Sequence, residues 1–564
     1  MAVQLFFKNF GSKLRDRDFQ GGKMIEVKGD RILEPGELER KPWLKSYPPD
    51  VPFHLHYPEI PLYAFLDEAA KDWPDKTALV FAPTGAEMTY AELLEKTNRF
   101  AHALQNLGAK KGDRVAIILP NCFQFVIAFY GILKAGAVVT PLNPRYTPRE
   151  LQELLSDSGA ETMICLDQMY PLIKSIQPAT SIQRIITVQL SPEPIKTGKD
   201  ALHFSVLVAQ NNPDYEPIEI DPKEDLAALM YTSGTTGRPK GAMLTHSNIS
   251  CAEIQLSSWL KPFLRPQEEV ISAIVPFFHI YGINVCIHFC VCNGFSLIIF
   301  PKFDPRITIE AIGKWRISLL WGVPAIYAAL YRVYQSKPDQ CDFSSVHFCG
   351  SGTTSFPKEL YWTTEKITGS LVIEAYGLTE TSPLTHANPP TDARQIGSIG
   401  IPLPDTEAKI DSRSGELLVK GPQVFKGYWH DLQSTESAFT ADGFFRTGDV
   451  AEMINNGFFQ IKDRLKDMIN VRGEKVYSRE VEIILESHPA VEEVAVVGKK
   501  DDFWGEKVVA YVKLKEGTNA SFDELISYCE TKLADFKLPK EIIFVDQFPR
   551  TAIGKIAKFL LRNN

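Results

Sequence analysis

The stretch "LMYTSGTTGRPKGAML", residues 229–244, holds three glycines, three threonines, a serine and a lysine between apolar flanks. Glycines let backbone N–H groups converge without Cβ obstruction, hydroxyls add donors, and Lys240 adds a point charge. That is chemistry for an oligophosphate. A Walker A loop, G-x-x-x-x-G-K-[ST], is the first form to test. Counted from Gly234, its second glycine falls on Pro239 and its Ser/Thr on Gly241, so two defining positions fail. A second glycine-rich segment, "HFCGSGTTS", has Gly350, Gly352 and Ser355, with Glu374 about twenty residues on. It lacks the third glycine of a dinucleotide fingerprint, which leaves a nicotinamide-dependent oxidoreductase as a weak alternative.

Further segments are dense in ligand-capable residues: "EAYGLTET" (374–381), "FRTGDV" (445–450), "IKDRLKDMINVRGEKVYSREVE" (461–482) and "PRTAIGKIAK" (549–558). Taken singly each has a plain reading, with Asp449 capping a turn and Lys555 a surface charge. Taken in order, they resemble the adenylate-forming superfamily of acyl-CoA synthetases, luciferases and peptide-synthetase adenylation domains. "YTSGTTGRPKG", "YGLTET", "FRTGDV" and the final "GK" are similar to its motifs nearly letter for letter, and the resemblance spans about residues 60–562.

The resemblance implies roles. Thr232, Ser233, Gly234, Thr235, Thr236, Gly237 and Lys240 would hold the β- and γ-phosphates of ATP, with Thr236 also counted among the catalytic residues. Tyr376 would lie against adenine, Gly352 and Gly377 would admit the base to the backbone, and Thr379 would join the nucleotide contacts. Asp449 would accept hydrogen bonds from the ribose hydroxyls and Arg464 would fix ribose or phosphates. Glu380 would reach Mg²⁺, a hard cation. Lys555 would stabilise the charge shared by the acid's carboxylate and the α-phosphate. Arg472 and Gly473 fit the family's loop for CoA, and Lys466 its hinge. One departure stands out: "GTTSF" (352–356) replaces the family's frequent "GGAPL".

The implied reaction joins an acid to CoA through an acyl-adenylate, releasing AMP and pyrophosphate. The family's acyl pocket falls on "VPFFHIYGINV" (275–285) and "WGVPAIYAAL" (321–330), which supply His279, Tyr281, Gly282 and Gly322. Neither segment has an acid to pair with an amino acid's ammonium, so peptide-synthetase chemistry is disfavoured. The "P-x-F-H" before Ile280 resembles fatty-acid and 4-coumarate ligases alike, while the "KPWLKSYPPDVP" at 41–52 resembles the start of bacterial long-chain fatty-acid CoA ligases. A 4-coumarate-type aryl-acid ligase is the alternative. A non-catalytic acyl-adenylate-binding regulator is disfavoured by the presence of Lys555, Glu380 and Asp449.

The elements that must carry these residues follow from pattern. Between 60 and 350, helical stretches such as "YAELLEKTNRFAHALQNLGA" alternate with apolar strands such as "RVAIILP", as helices do on a largely parallel sheet. After Gly397 short strands alternate with Gly/Asp/Asn turns. The expected fold is α/β: a large N-terminal domain of layered α/β subdomains with a small β-rich subdomain, then a small α+β C-terminal domain that the resemblance makes mobile. Boundaries are an extension at 1–58, an AMP-binding domain at 59–465 with the β-rich part at about 397–462, and 466–564 beyond a hinge near Lys466. Net charge −8 argues against a nucleic-acid partner. Nine scattered cysteines read as buried thiols in a reducing, cytoplasmic setting, with Cys286, Cys290 and Cys292 among apolar neighbours. The N-terminal Phe6, Phe7, Phe10 and Leu14 among Lys8, Lys13 and Arg15 could lie on the inner face of a membrane, though a frayed or locally docked end is the plainer reading. The oligomeric state stays open, a homodimer included.

Overall fold

The computed structural model describes residues 25–27, 31–33, 36–191, 197–232, 239–472, 474–501, 504–550 and 556–562. The basic and aromatic residues near the N-terminus lie outside this set, as do Ser233, Gly234, Thr235, Thr236, Gly237, Gly473 and Lys555. The chain divides into two compact units. The first comprises Met1–Glu407, Val419–Phe445 and Asn455–Phe458; the second comprises Ala408–Leu418, Arg446–Ile454 and Phe459–Asn564. The β-rich segment expected at about 397–462 is therefore shared between them.

The alternation of helix and strand in the first unit builds two sheets rather than one. In the first sheet Val138–Pro141, Arg114–Ile118, Thr162–Leu166 and Arg184–Val188 run parallel, and Leu226–Thr232 joins parallel to Val138–Pro141. On its far side Leu226–Thr232 pairs antiparallel with Lys240–Thr245, which pairs in turn with Gly427–Tyr428. The second sheet has a parallel centre of Leu371–Tyr376, Phe348–Ser351, Leu319–Gly322, Val270–Ala273, Ser296–Ile299 and Thr77–Phe81. Continuous apolar strands such as Arg114–Ile118 are buried from Val115 onward because helices cover them. The helix Tyr90–Asn106 starts at a capping box, Thr89 with Glu92, and packs close on Phe123–Lys134. That approach depends on Gly131, where a Cβ would lie 2.8 Å from Phe100.

The apolar run 285–300 is a π-helical segment, Gly282–His288, then a short α-helix, Phe289–Asn293, then the strand Ser296–Ile299. Gly294 turns the chain between them at φ +64°. Among the described residues no helix is long and apolar enough to cross a membrane. All nine cysteines are free thiols, eight of them buried.

In the second unit Phe445–Met453 and Phe459–Arg464 form an antiparallel pair. A five-stranded sheet follows, centred on the long hairpin Val491–Asp501 and Gly505–Leu514. Its core contains Val481 and Leu485 from the helix Ser478–Glu486, and Leu525 and Cys529 from Phe522–Glu530. Lys466 lies inside this unit, in a turn where Leu465 N donates to Gly448 O (2.8 Å) and Asp467 N to Arg464 O (2.9 Å).

Candidate active site

The glycine- and threonine-rich loop is closed at its neck by the antiparallel register Thr232↔Lys240. Thr232 Oγ1 donates to Lys240 O at 3.5 Å. Gly241 has a packing reason to be glycine: a Cβ would meet Leu229 Cδ1 at 2.9 Å and Trp429 Cβ at 3.2 Å. Lys240 Nζ donates to Ser434 Oγ (2.6 Å) and lies 5.1 Å from the centre of the Tyr428 ring. Asp431 caps the helix Leu432–Ala438 that carries Ser434, accepting from Ser434 N at 2.9 Å.

Glu380 is buried in the turn after Leu371–Tyr376 and accepts from Tyr428 OH at 2.9 Å through Oε1. Its carbonyl accepts from Phe425 N at 2.8 Å. The segment Phe425–Tyr428 thus ties the strand leaving the loop to the acid expected to face a metal. The sequence reading missed Tyr428 and Ser434. Both stand almost 200 residues after Lys240, and "KGYW" carries no spacing that links it to the loop.

Tyr376, Gly377 and Thr379 share the turn with Glu380. Tyr376 packs edge-on against His386, with ring centres 6.0 Å apart. At Gly377 a Cβ would lie 1.6 Å from Pro383 O, so the backbone there can be crossed only by glycine. Gly352 is less crowded, with Ala375 O at 3.3 Å from a Cβ. Thr353 adopts φ +71°, a left-handed conformation costly for a β-branched residue and natural for the glycine of "GGAPL". Glu374 is not poised as the acid of a dinucleotide site. Its two oxygens accept from Phe356 N (3.2 Å) and Gly397 N (3.1 Å), bracing the 352–356 loop. Burial raises its pKa to about 6, against those two hydrogen bonds.

The remaining residues expected at the nucleotide lie in the second unit. Asp449 and Arg464 face each other across the antiparallel pair, and Arg464 Nε donates to buried Asp449 Oδ1 at 2.8 Å. Arg472 lies at φ +54° with its guanidinium 4.0 Å from the Trp504 ring centre.

The acyl candidates meet in the first unit. Tyr281 N donates to His279 Nδ1 at 3.1 Å, which puts the proton of the neutral imidazole on Nε2. Tyr281 OH donates to Gly322 O at 3.3 Å. Gly282 underlies this turn, where a Cβ would lie 2.2 Å from Pro276 O.

The expectation of purely apolar neighbours for the cysteine cluster is corrected at Cys292. Glu253, His288 and Cys292 bring a carboxylate oxygen, a ring nitrogen and a sulfur within 4.8 Å of one another. His288 Nδ1 stands 3.1 Å from Tyr130 OH, and its Nε2 3.5 Å from Cys292 Sγ. Burial lowers the His288 pKa to about 3 and raises that of Glu253 to about 7, so the imidazole is neutral and the carboxyl only partly ionised near neutral pH.

Comparison with known proteins covers most of the chain. Residues 66–429 match the family model "AMP-binding enzyme", and 480–555 match "AMP-binding enzyme C-terminal domain". A long-chain-fatty-acid–CoA ligase of Bacillus subtilis is 39% identical over 92% of this chain and 97% of its own length. A mitochondrial medium-chain acyl-CoA ligase of Homo sapiens is 32% identical, over 88% of this chain and 86% of its own. Among solved structures, ATP-bound MatB from Rhodopseudomonas palustris superposes with a TM-score of 0.80 at 31% identity, covering 90% of this chain and 99% of that one. A fatty acyl CoA synthetase of Mycobacterium tuberculosis gives 0.69 at 31% identity, covering 89% and 98%.

Proposed function

The chain belongs to the AMP-binding enzyme family, and on that premise we propose that it is an ATP-dependent acid–CoA ligase for long- or medium-chain fatty acids. The observation that carries the reading is the joining of the phosphate-loop neck at Lys240 to the buried carboxylate of Glu380 through Phe425–Tyr428. On this reading the residues for oligophosphate chemistry and for hard-cation chemistry lie side by side.

In the first half-reaction the fatty carboxylate attacks the α-phosphorus of ATP and pyrophosphate leaves. Thr232, Ser233, Gly234, Thr235, Thr236, Gly237 and Lys240 hold the leaving phosphates. Tyr376, Gly352, Gly377 and Thr379 take the adenine side, while Asp449 and Arg464 take the ribose. Glu380 suits Mg²⁺ because it is a buried oxygen donor whose orientation is held by a phenol. When bound, the ion neutralises phosphate charge. Lys555 stabilises the two anions that must meet. In the second half-reaction the thiolate of CoA attacks the acyl carbonyl and AMP leaves, with Arg472 and Gly473 at the CoA side. Movement about Lys466 exchanges Lys555 for that loop.

Acid specificity follows from the wall around His279, Tyr281, Gly282 and Gly322. Tyr281 is buried, and segments 275–285 and 321–330 lack an acid, which favours an alkyl tail over an amino acid.

Pyrophosphate release with ATP, Mg²⁺ and a panel of acids tests the reading. Release with fatty acids and none with amino acids is expected. Release with no acid overturns it, and release with aryl acids alone overturns the fatty-acid assignment.

A further inference from the structure

Three elements distant in sequence meet at one aromatic ring. Tyr428 lies on the short strand Gly427–Tyr428, paired with Lys240–Thr245 in the register Ala242↔Tyr428. Its hydroxyl donates to Glu380 Oε1 at 2.9 Å, and its ring centre lies 5.1 Å from Lys240 Nζ. The ring is held from several sides. Phe425 packs edge-on with centres 4.9 Å apart, and Tyr428 N donates to Thr435 Oγ1 at 2.8 Å. Thr435 belongs to the helix whose Ser434 accepts from Lys240.

Two separable forces act through this one side chain. A neutral phenol that donates to one carboxylate oxygen fixes the rotation of that carboxylate, as outer partners of metal ligands do. The face of the ring attracts the ammonium, and that attraction survives removal of the hydroxyl. We propose that Tyr428 is a positioning residue of the triphosphate site: its hydroxyl sets Glu380 for a divalent cation, and its ring holds Lys240 at the neck of the phosphate loop.

The proposal rests on the ligase reading for the identity of ATP, but its test does not depend on turnover. Mn²⁺ binding to the protein·ATP complex is measured by electron paramagnetic resonance, and ATP binding in EDTA by calorimetry, on the full chain. Tyr428→Phe is expected to weaken Mn²⁺ about 10-fold while leaving metal-free ATP binding unchanged. Tyr428→Leu is expected to weaken Mn²⁺ equally and also to weaken metal-free ATP by about 2- to 5-fold. In a Glu380→Gln background, Tyr428→Phe should cost nothing further, and this arm stands even if the leucine variant does not fold. Wild-type Mn²⁺ affinity in Tyr428→Phe, or a loss additive to that of Glu380→Gln, overturns the proposal. If these binding differences are found while the wild type releases no pyrophosphate with any acid, the ligase reading alone fails.

Discussion

Gly377→Ala tests how tightly the turn proposed to meet the nucleotide is built. The added Cβ would lie 1.6 Å from Pro383 O, 2.6 Å from Pro383 C and 2.9 Å from Leu384 Cα. All three are backbone atoms, so no rotamer change relieves the overlap. Reaching the 3.0 Å floor of real Cβ contacts from 1.6 Å requires about 1.4 Å of main-chain separation. The segments that must part are tied by Thr385 N→Tyr376 O (2.9 Å), Leu378 N→Thr381 Oγ1 (2.9 Å) and Thr381 Oγ1→Pro383 O (3.1 Å). Straining these and overpacking the turn costs about 1–3 kcal/mol of stability. Tyr376 and Glu380 flank the substituted position, so both shift. A misplacement near 1 Å commonly costs about 10²-fold in rate. Steady-state pyrophosphate release should show kcat/KM for ATP reduced by about that factor in a protein that still unfolds cooperatively. A folded Gly377→Ala protein with wild-type kcat/KM for ATP would refute the reasoning.

Lys555→Ala should block acyl-adenylate formation by about 10²–10³-fold yet spare thioester formation from supplied acyl-adenylate; equal loss in both halves contradicts the division of labour. Asp449→Asn should raise KM for ATP about 10-fold through the weakened ribose contact, while circular dichroism stays native; an unchanged KM removes Asp449 from the ribose. Glu253 is raised by burial from 4.5 to about 7, so folding favours its protonated form. Its stabilising contribution is complete below pH 4.5 and is lost as pH rises through about 7, a difference of roughly 3 kcal/mol. Glu253→Gln should flatten that part of the stability profile in denaturant titrations, and an unchanged profile would show that Glu253 is not its source.

Local motifs were legible because their chemistry is contiguous. Thr232 and Lys240 bracket the loop in sequence and pair across its neck in the fold. The strand-and-helix alternation announced α/β architecture, but not that Leu226–Thr232 and Leu371–Tyr376 belong to different sheets, since strand order is decided by long-range packing. Tyr428 escaped notice for the same reason: its partners are Lys240 and Glu380, and only the folded chain joins them. Gly241 departs from the Walker pattern, and the fold adds its packing cause, the side chain of Leu229 across the hairpin. Cys292 read as apolar from its sequence neighbours because Glu253 reaches it from another helix. Thr353 departs visibly from "GGAPL" in sequence, but its positive φ is set by the folded loop.

The central claim is attack by a fatty carboxylate on the α-phosphorus. Incubation of the protein with ATP, Mg²⁺, CoA and a fatty acid labelled with ¹⁸O in both carboxylate oxygens tests it directly by mass spectrometry of the nucleotide product. The account requires AMP carrying one ¹⁸O, unlabelled pyrophosphate, and an acyl-CoA retaining one ¹⁸O. Formation of ADP, or label in released phosphate in place of AMP, would contradict it.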